Sequence, residues 1–184
     1  LKFDGSSTCS AEDFLITLEE RRTIFNIPDA TLISWLPLMF TGTPLLWYRL
    51  NKSEWTNWEE FERNFRNTFF PFDYQDRLKR EIDRRTQGDQ EDISTFVINL
   101  CTLMNRLTKP LSLAEQLEKI YKNLLPKYQF HIRFAEVTSI ADLLHRGQEF
   151  EQLEERSKTF RPPPPKEKSL CPDTAYKGLG SPKK

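Results

Sequence analysis

Gln87, Gly88 and Glu91 place an amide, a bare backbone and a carboxylate within the five residues QGDQE, just ahead of a run rich in apolar residues. Gln87 can donate and accept, and Glu91 can accept from the free N–H groups that open a helix, so the two are suited to holding a chain reversal in one shape. Gly88 takes a positive φ at no steric cost, and the reversal is expected to use that freedom. Alone, this is the chemistry of a capped helix after a glycine turn, which any helical protein can contain. The other reactive residues are not spaced for a site. Cys9, Cys101 and Cys171 lie far apart with no C-x-x-C pair, which argues against a disulfide framework and a structural zinc and fits a reducing compartment. There is no Gly-rich phosphate loop, no His or Cys at metal spacing and no nucleophile motif, so no cofactor, metal or enzymatic activity is expected.

Positive charge is the remaining chemistry. The formal net charge of the 184 residues is zero, but from Arg161 onward six Lys or Arg face two acids, leaving 21 against 25 in the first 160 residues. Arg161, Lys166, Lys168, Lys177, Lys183 and Lys184 are therefore candidate contacts for RNA, weak and indifferent to sequence, with a plain linker as the alternative. Arg77, Lys79, Arg80, Arg84 and Arg85 form a second basic face that can bind phosphate. Asp73 with Arg77, Asp76 with Arg80 and Glu81 with Arg85 are acid-before-base pairs at i, i+4, however, and the face is read as solvated.

These groups must be positioned by helices. The chain has 38% hydrophobic residues, including 14 Phe and 4 Trp, enough for real cores. It begins with Leu rather than Met and reads as an excerpt of a longer polypeptide. Its longest nearly apolar run, Leu32 to Phe40, is much shorter than the roughly 18 residues a membrane span needs, so a soluble protein is expected.

The first seven residues form an extended arm, with Phe3 tucked onto a core and Gly5 turning the chain. Ser10 is a candidate N-cap for a helix to about Asn26 that buries Ala11, Phe14, Leu15, Leu18 and Phe25 and leaves Ile16 on the opposite side. Pro28 and Asp29 open a second helix and Thr43 with Pro44 a third, both read as almost wholly buried. Trp58, Phe61, Phe65 and Phe69 stripe a fourth as core rather than as a stacking platform. Phe70-Pro71-Phe72 interrupts the pattern. Helices follow over about Asp73 to Arg85, with Tyr74, Leu78 and Ile82 inward. The next begins after Asp92, with Ile93, Phe96, Val97, Leu100, Met104 and Leu107 inward. Another follows Ser112, with Leu113, Leu117, Ile120, Tyr121 and Leu124 inward, then a short one from Lys127 and a long one from Ser139. No sustained alternation occurs, so no sheet is predicted. Pro162 to Pro165 form a polyproline spacer before a disordered end.

In this order the pieces resemble the capsid region of Gag from gypsy-class LTR retrotransposons, a lineage that includes Arc-like domesticated Gag proteins. Gln87-Gly88-x-x-Glu91, with Phe96 five residues later, resembles the major homology region of Gag capsids. The other matching pieces are Phe3-x-Gly5 before a helix with Phe14 and Leu15, TPLLWYR from Thr43 to Arg49, the aromatic stripe ending at Pro71, and LEKIYKNLLPKY from Leu117 to Tyr128. The resemblance covers about residues 1 to 160. It implies an all-α fold of two small lobes, an amino-terminal capsid lobe at 1–71 and a carboxy-terminal lobe at 72–160, with a disordered Pro-rich basic tail at 161–184.

By the same resemblance the protein is a structural one that self-assembles into virus-like particles enclosing RNA, or an Arc-like protein whose amino-terminal lobe grips short hydrophobic peptides of partner proteins. Its partners would be copies of itself, RNA and such peptides, with no membrane. The place would be the cytoplasm, in particles, with release in vesicles for an Arc-like protein. Ile16 is the candidate subunit contact. A zinc knuckle usually follows such a capsid, but Cys171 has no following ligands and neither His131 nor His145 lies near it. Asp173-Thr174-Ala175 resembles the motif of retroviral aspartic proteases, yet Pro172 precedes it and too little chain follows, so it is read as coincidence.

Overall fold

Apolar residues that recur every three or four positions gather on one side only in a helix, and helices make up nearly all of the regular structure. The computed structural model describes residues 1–176. Among them the order is α1 (Thr8–Ile24), α2 (Asp29–Met39), α3 (Gly42–Asn51), α4 (Trp58–Phe69), α5 (Tyr74–Arg84), α6 (Ile93–Asn105), α7 (Leu113–Asn123), α8 (Pro126–His131) and α9 (Ile140–Thr159). Short 3-10 turns lie at Lys52–Glu54, Phe134–Glu136 and Lys166–Lys168. The fold is all-α: the described residues contain no strand, and extended pairing is limited to a parallel bridge between Phe3 and Phe40.

The chain divides into two compact units, Leu1–Arg85 with Leu100–Ser112, and Thr86–Asn99 with everything from Leu113 onward. Helix α6 contributes residues 93–99 to the second and 100–105 to the first.

In the first unit the arm enters by backbone pairing. The Phe3 N–H donates to the Met39 carbonyl at 2.9 Å, and the Thr41 N–H donates to the Phe3 carbonyl at 3.0 Å. This drops the Phe3 ring among Phe14, Phe65 and Phe69, with centroids 5.2–5.3 Å away. Gly5 then turns with φ +80°, and a Cβ there would press on Pro44 Cγ at 3.2 Å, so a residue without a side chain is required. Trp58, Phe61 and Phe65 of α4 are buried at the centre of this aromatic core, with Phe69 and Phe70 packed against it. Asn57 caps α4, its side-chain oxygen accepting from the Glu60 N–H at 2.9 Å. Asp29 ties three helices: one oxygen accepts from the Trp58 N–H and the other from Arg22 Nε, both at 2.9 Å. The Trp58 N–H, ahead of Arg22, holds the Asp29 carboxyl below the usual carboxylate range. Leu78 and Ile82 bury the narrow apolar line of α5.

Three expectations in this unit are corrected. Helix α1 begins at Thr8, two residues ahead of Ser10. Phe25 is 70% exposed rather than inward, because α1 ends at Ile24 and Asn26 takes φ +49°, which swings the chain off the buried face. Helices α2 and α3 are not wholly buried. Leu32, Ile33 and Leu36, and on α3 Pro44 and Tyr48, take the inward side, which leaves Trp35, Leu38, Leu46 and Leu50 exposed.

In the second unit Ile93, Phe96 and Val97 of α6 are buried, as are Leu117, Ile120 and Leu124, Tyr128, Ile132, and Leu143 of α9. Ser139 caps α9, its hydroxyl accepting from the Asp142 N–H at 3.0 Å. Leu113, expected inward, is exposed: it is the first residue of α7, ahead of the turns that carry the buried face. From Arg161 to Tyr176 the chain is irregular apart from one 3-10 turn, and nearly every residue is exposed.

Candidate functional site

The reversal between α5 and α6 is built by side chains reaching for backbone. Gln87 is only 4% exposed. Its N–H donates to the Asn123 carbonyl at 2.8 Å, its Nε2 donates to the Glu91 carbonyl at 2.8 Å, and its Oε1 accepts from the Leu125 N–H at 3.1 Å. Gln87 thus closes the turn on itself and staples it to the junction of α7 and α8. The Gly88 N–H donates to Glu91 Oε2 at 3.0 Å, and the Glu91 N–H donates to the Gly88 carbonyl at 3.0 Å. Phe96, one turn into α6, is fully buried.

Two details depart from expectation. Positive φ among the described residues occurs only at Gly5, Gly42 and Asn26, so Gly88 is not left-handed. The bend is held by the Gln87 and Glu91 hydrogen bonds instead. The mouth of α6 is served by Asp92 and Glu151, while the Glu91 carboxylate reaches back to Gly88. Asp92 accepts from the Thr95 N–H at 2.9 Å and the Thr95 hydroxyl at 2.7 Å, and these bonds, the N–H first, hold its carboxyl below the usual range.

Spacing offered no sign of Glu151. This α9 carboxylate is half-buried, and its Oε1 accepts both the Ile93 N–H at 2.8 Å and the Tyr128 hydroxyl at 2.7 Å. Burial, then the hydrogen bond to Glu151, pushes the Tyr128 hydroxyl well above the usual phenol range, so it stays a donor. Gly147 gave little more away. It is buried in α9, where a Cβ would overlap Ile93 Cδ1 and crowd Ile93 Cγ1 and Cγ2 at 3.1 Å each. A lone glycine inside a helical pattern is the one signal in the sequence that points to this close approach.

The other candidates lie elsewhere. Ile16 is 40% exposed on α1. It stands in an open hollow of about 500 Å³ whose apolar wall is Leu15, Ile24 and Trp58, with Glu19, Glu20 and Glu62 around it. Beneath that hollow Glu12, 2% exposed, is met by Arg66 at 3.2 Å, and Arg66 Nε also donates to Glu62 at 2.9 Å. Arg161, Lys166 and Lys168 are exposed, while Lys177, Lys183 and Lys184 lie outside the described residues. Cys101 and Cys171 are free thiols, burial raising the former's pKa. Among the described residues no group of three or more His, Cys, Asp or Glu is placed to hold a metal ion, and no helix is long and apolar enough to cross a membrane.

No family model matches the chain. It is 28% identical over 137 residues to activity-regulated cytoskeleton associated protein 1 of Drosophila melanogaster, an alignment covering 74% of this chain and 54% of that protein. It is 26% identical over 154 residues to activity-regulated cytoskeleton associated protein 2 of the same organism, covering 83% and 80%. The chain therefore spans about half the length of the first of these relatives. Among solved structures, the dArc2 capsid matches with a TM-score of 0.68 at 24% identity, covering 83% of this chain and 94% of that one. The dArc1 capsid matches with a TM-score of 0.64 at 26% identity, covering 83% and 93%. The chain is thus similar over most of its length to two Drosophila activity-regulated cytoskeleton associated proteins, and its all-helical fold matches that of the dArc1 and dArc2 capsids.

Proposed function

We propose that this protein is a structural capsid subunit that associates with copies of itself into closed, hollow particles and encloses RNA. The carrying observation is the likeness, over most of the chain, to the dArc1 capsid. Two features support it. Trp35 and Leu38 on α2 and Leu46 and Leu50 on α3 leave large apolar side chains uncovered in the single chain, the kind of surface that protein association removes from water. The Gln87 turn holds the start of α6 by hydrogen bonds at both of its ends, and a shell needs the same angle in every subunit. In this reading the amino-terminal lobe builds rings and the carboxy-terminal lobe joins them, with a boundary near Pro71, where the aromatic core that begins at Phe3 ends with Phe70. Assembly in the cytoplasm, and release in vesicles, belong to the same reading.

A second reading is favoured by the hollow along α1: its apolar wall of Leu15, Ile16, Ile24 and Trp58 suits a short hydrophobic peptide of a partner protein. Negative-stain electron microscopy of the purified chain across a range of salt and protein concentration separates the two. Closed shells are the expected result. A monomer under every condition, together with saturable binding of hydrophobic peptides, would overturn the capsid reading in favour of the second.

A further inference from the structure

The densest positive charge is on α5, not in the tail. Residues 77–85 hold five Lys or Arg and two acids, against six and two spread over the 24 residues from Arg161. Leu78 and Ile82 anchor the buried side of α5, so the arginines ride on the remaining faces. Arg77, Arg80 and Arg84 fall at i, i+3 and i+7, a line about 10 Å long at 1.5 Å per residue. With Glu81 and Arg85 they line an open hollow of about 400 Å³.

Pairing with acids neutralises only part of this line. Arg77 Nε donates to Asp73 at 2.9 Å, and Asp76 is met by Lys79 at 3.5 Å rather than by the expected Arg80. Arg80 and Arg84 are exposed and join no ion pair among the described residues. Their charge is permanent, and a guanidinium grips a phosphate through two parallel N–H donors.

We propose that the α5 face binds single-stranded RNA through its phosphate backbone, with Arg80 and Arg84 as the contacts and Arg77 and Arg85 flanking them. This rests on the RNA-enclosing reading above and gives it a site other than the tail. A linear polyanion fits a line of guanidinium groups, and the rest of the first 160 residues carries an excess of acids that would repel it. The hollow offers no aromatic ring for a base to stack on, so binding is indifferent to sequence.

The test uses the full chain, a fluorescently labelled oligouridine and anisotropy titrations over a range of salt. The double variant Arg80→Ala/Arg84→Ala, whose exposed side chains leave circular dichroism unchanged, should bind several-fold more weakly at low salt. Its slope of log affinity against log salt should fall by about 1.4, at roughly 0.7 for each phosphate the protein no longer neutralises. The tail variant Arg161→Ala/Lys166→Ala/Lys168→Ala should lose less. If instead the tail variant loses binding and the α5 variant keeps both affinity and slope, the α5 site is overturned while the RNA reading stands. If no form binds RNA although particles assemble, both are overturned. If the α5 variant binds RNA normally but fails to assemble, the face meets a second copy of the chain and the proposal is likewise overturned.

Discussion

Replacing Gly147 with alanine should destabilise the second unit, although alanine is the better helix former. In the interior of α9 the change from Gly to Ala favours the helix by about 0.5–1 kcal/mol. Against this stands the new methyl group, which would overlap Ile93 Cδ1 and sit 3.1 Å from both Cγ1 and Cγ2. Rotating the Ile93 tip cures only the first of these clashes, so the whole side chain must shift. Ile93 is fully buried and its N–H is bonded to Glu151, which resists that shift. Overpacking of this kind costs about 1–3 kcal/mol, so a net loss of roughly 0.5–2 kcal/mol is expected. The mechanism is isolated by a cycle with Ile93→Val, which deletes Cδ1 and by itself costs about 0.5–1.5 kcal/mol. In the Gly147→Ala background the same deletion removes the overlap, so the double variant should be less destabilised than the sum of the single ones, by about 1 kcal/mol. Urea unfolding followed by far-ultraviolet circular dichroism, comparing midpoints at a common slope, reads this directly. A Gly147→Ala chain more stable than the parent, or strictly additive effects in the cycle, would refute the close approach of α9 to α6.

The remaining expectations concern the turn, the α1 surface and the acid response. Gln87→Ala removes the buried side-chain hydrogen bonds to the Leu125 N–H and the Glu91 carbonyl and should cost about 1–3 kcal/mol, whereas Gly88→Ala, with no positive φ and only an ordinary 3.6 Å approach to Glu91 Cβ, should stay within about 0.5 kcal/mol in thermal melts; the reverse ranking would show that the glycine, not the glutamine, makes the turn. Ile16→Ser should leave the melt within about 0.5 kcal/mol of the parent while lowering particle yield in electron micrographs, and undiminished yield would remove Ile16 from the subunit contact. Asp29 has its folded pKa depressed, so its contribution is present above the unfolded value near 3.8 and is lost as pH falls through the lower folded value. The melting gap between the parent and Asp29→Asn should therefore be constant at neutral pH and shrink below about pH 4, and a gap that does not change with pH would rule out the charged contact to Arg22 and the Trp58 N–H.

Residue spacing was enough wherever helix geometry alone selects the buried face. Trp58, Phe61 and Phe65 are core, and the five apolar positions read within α6, Ile93, Phe96, Val97, Leu100 and Met104, are buried, because 3.6 residues per turn aligns them; Leu107 is buried too, but just beyond the end of the helix. The turn was legible in part: the Gln87 amide and the Glu91 carboxylate hold it, whereas the positive φ expected of Gly88 is absent. Its wiring was not legible. Gln87 bonds to Asn123 and Leu125, and Ile93 bonds to Glu151, across separations that spacing does not encode. On α2 and α3 most residues are apolar, on more than one side of the helix, so pattern could not choose a face, and which of Leu36 or Leu38 goes inward depended on where the aromatic core stood. Phe25 fitted the periodicity of α1 and is exposed because a left-handed Asn26 ended the helix first. Gly147 reads as a weak point in a helix until Ile93 is brought against it. Periodicity is a property of one helix and travels with the sequence. Hydrogen-bond partners, steric overlaps and the choice between two apolar faces belong to pairs of elements, and only packing sets the distances between them.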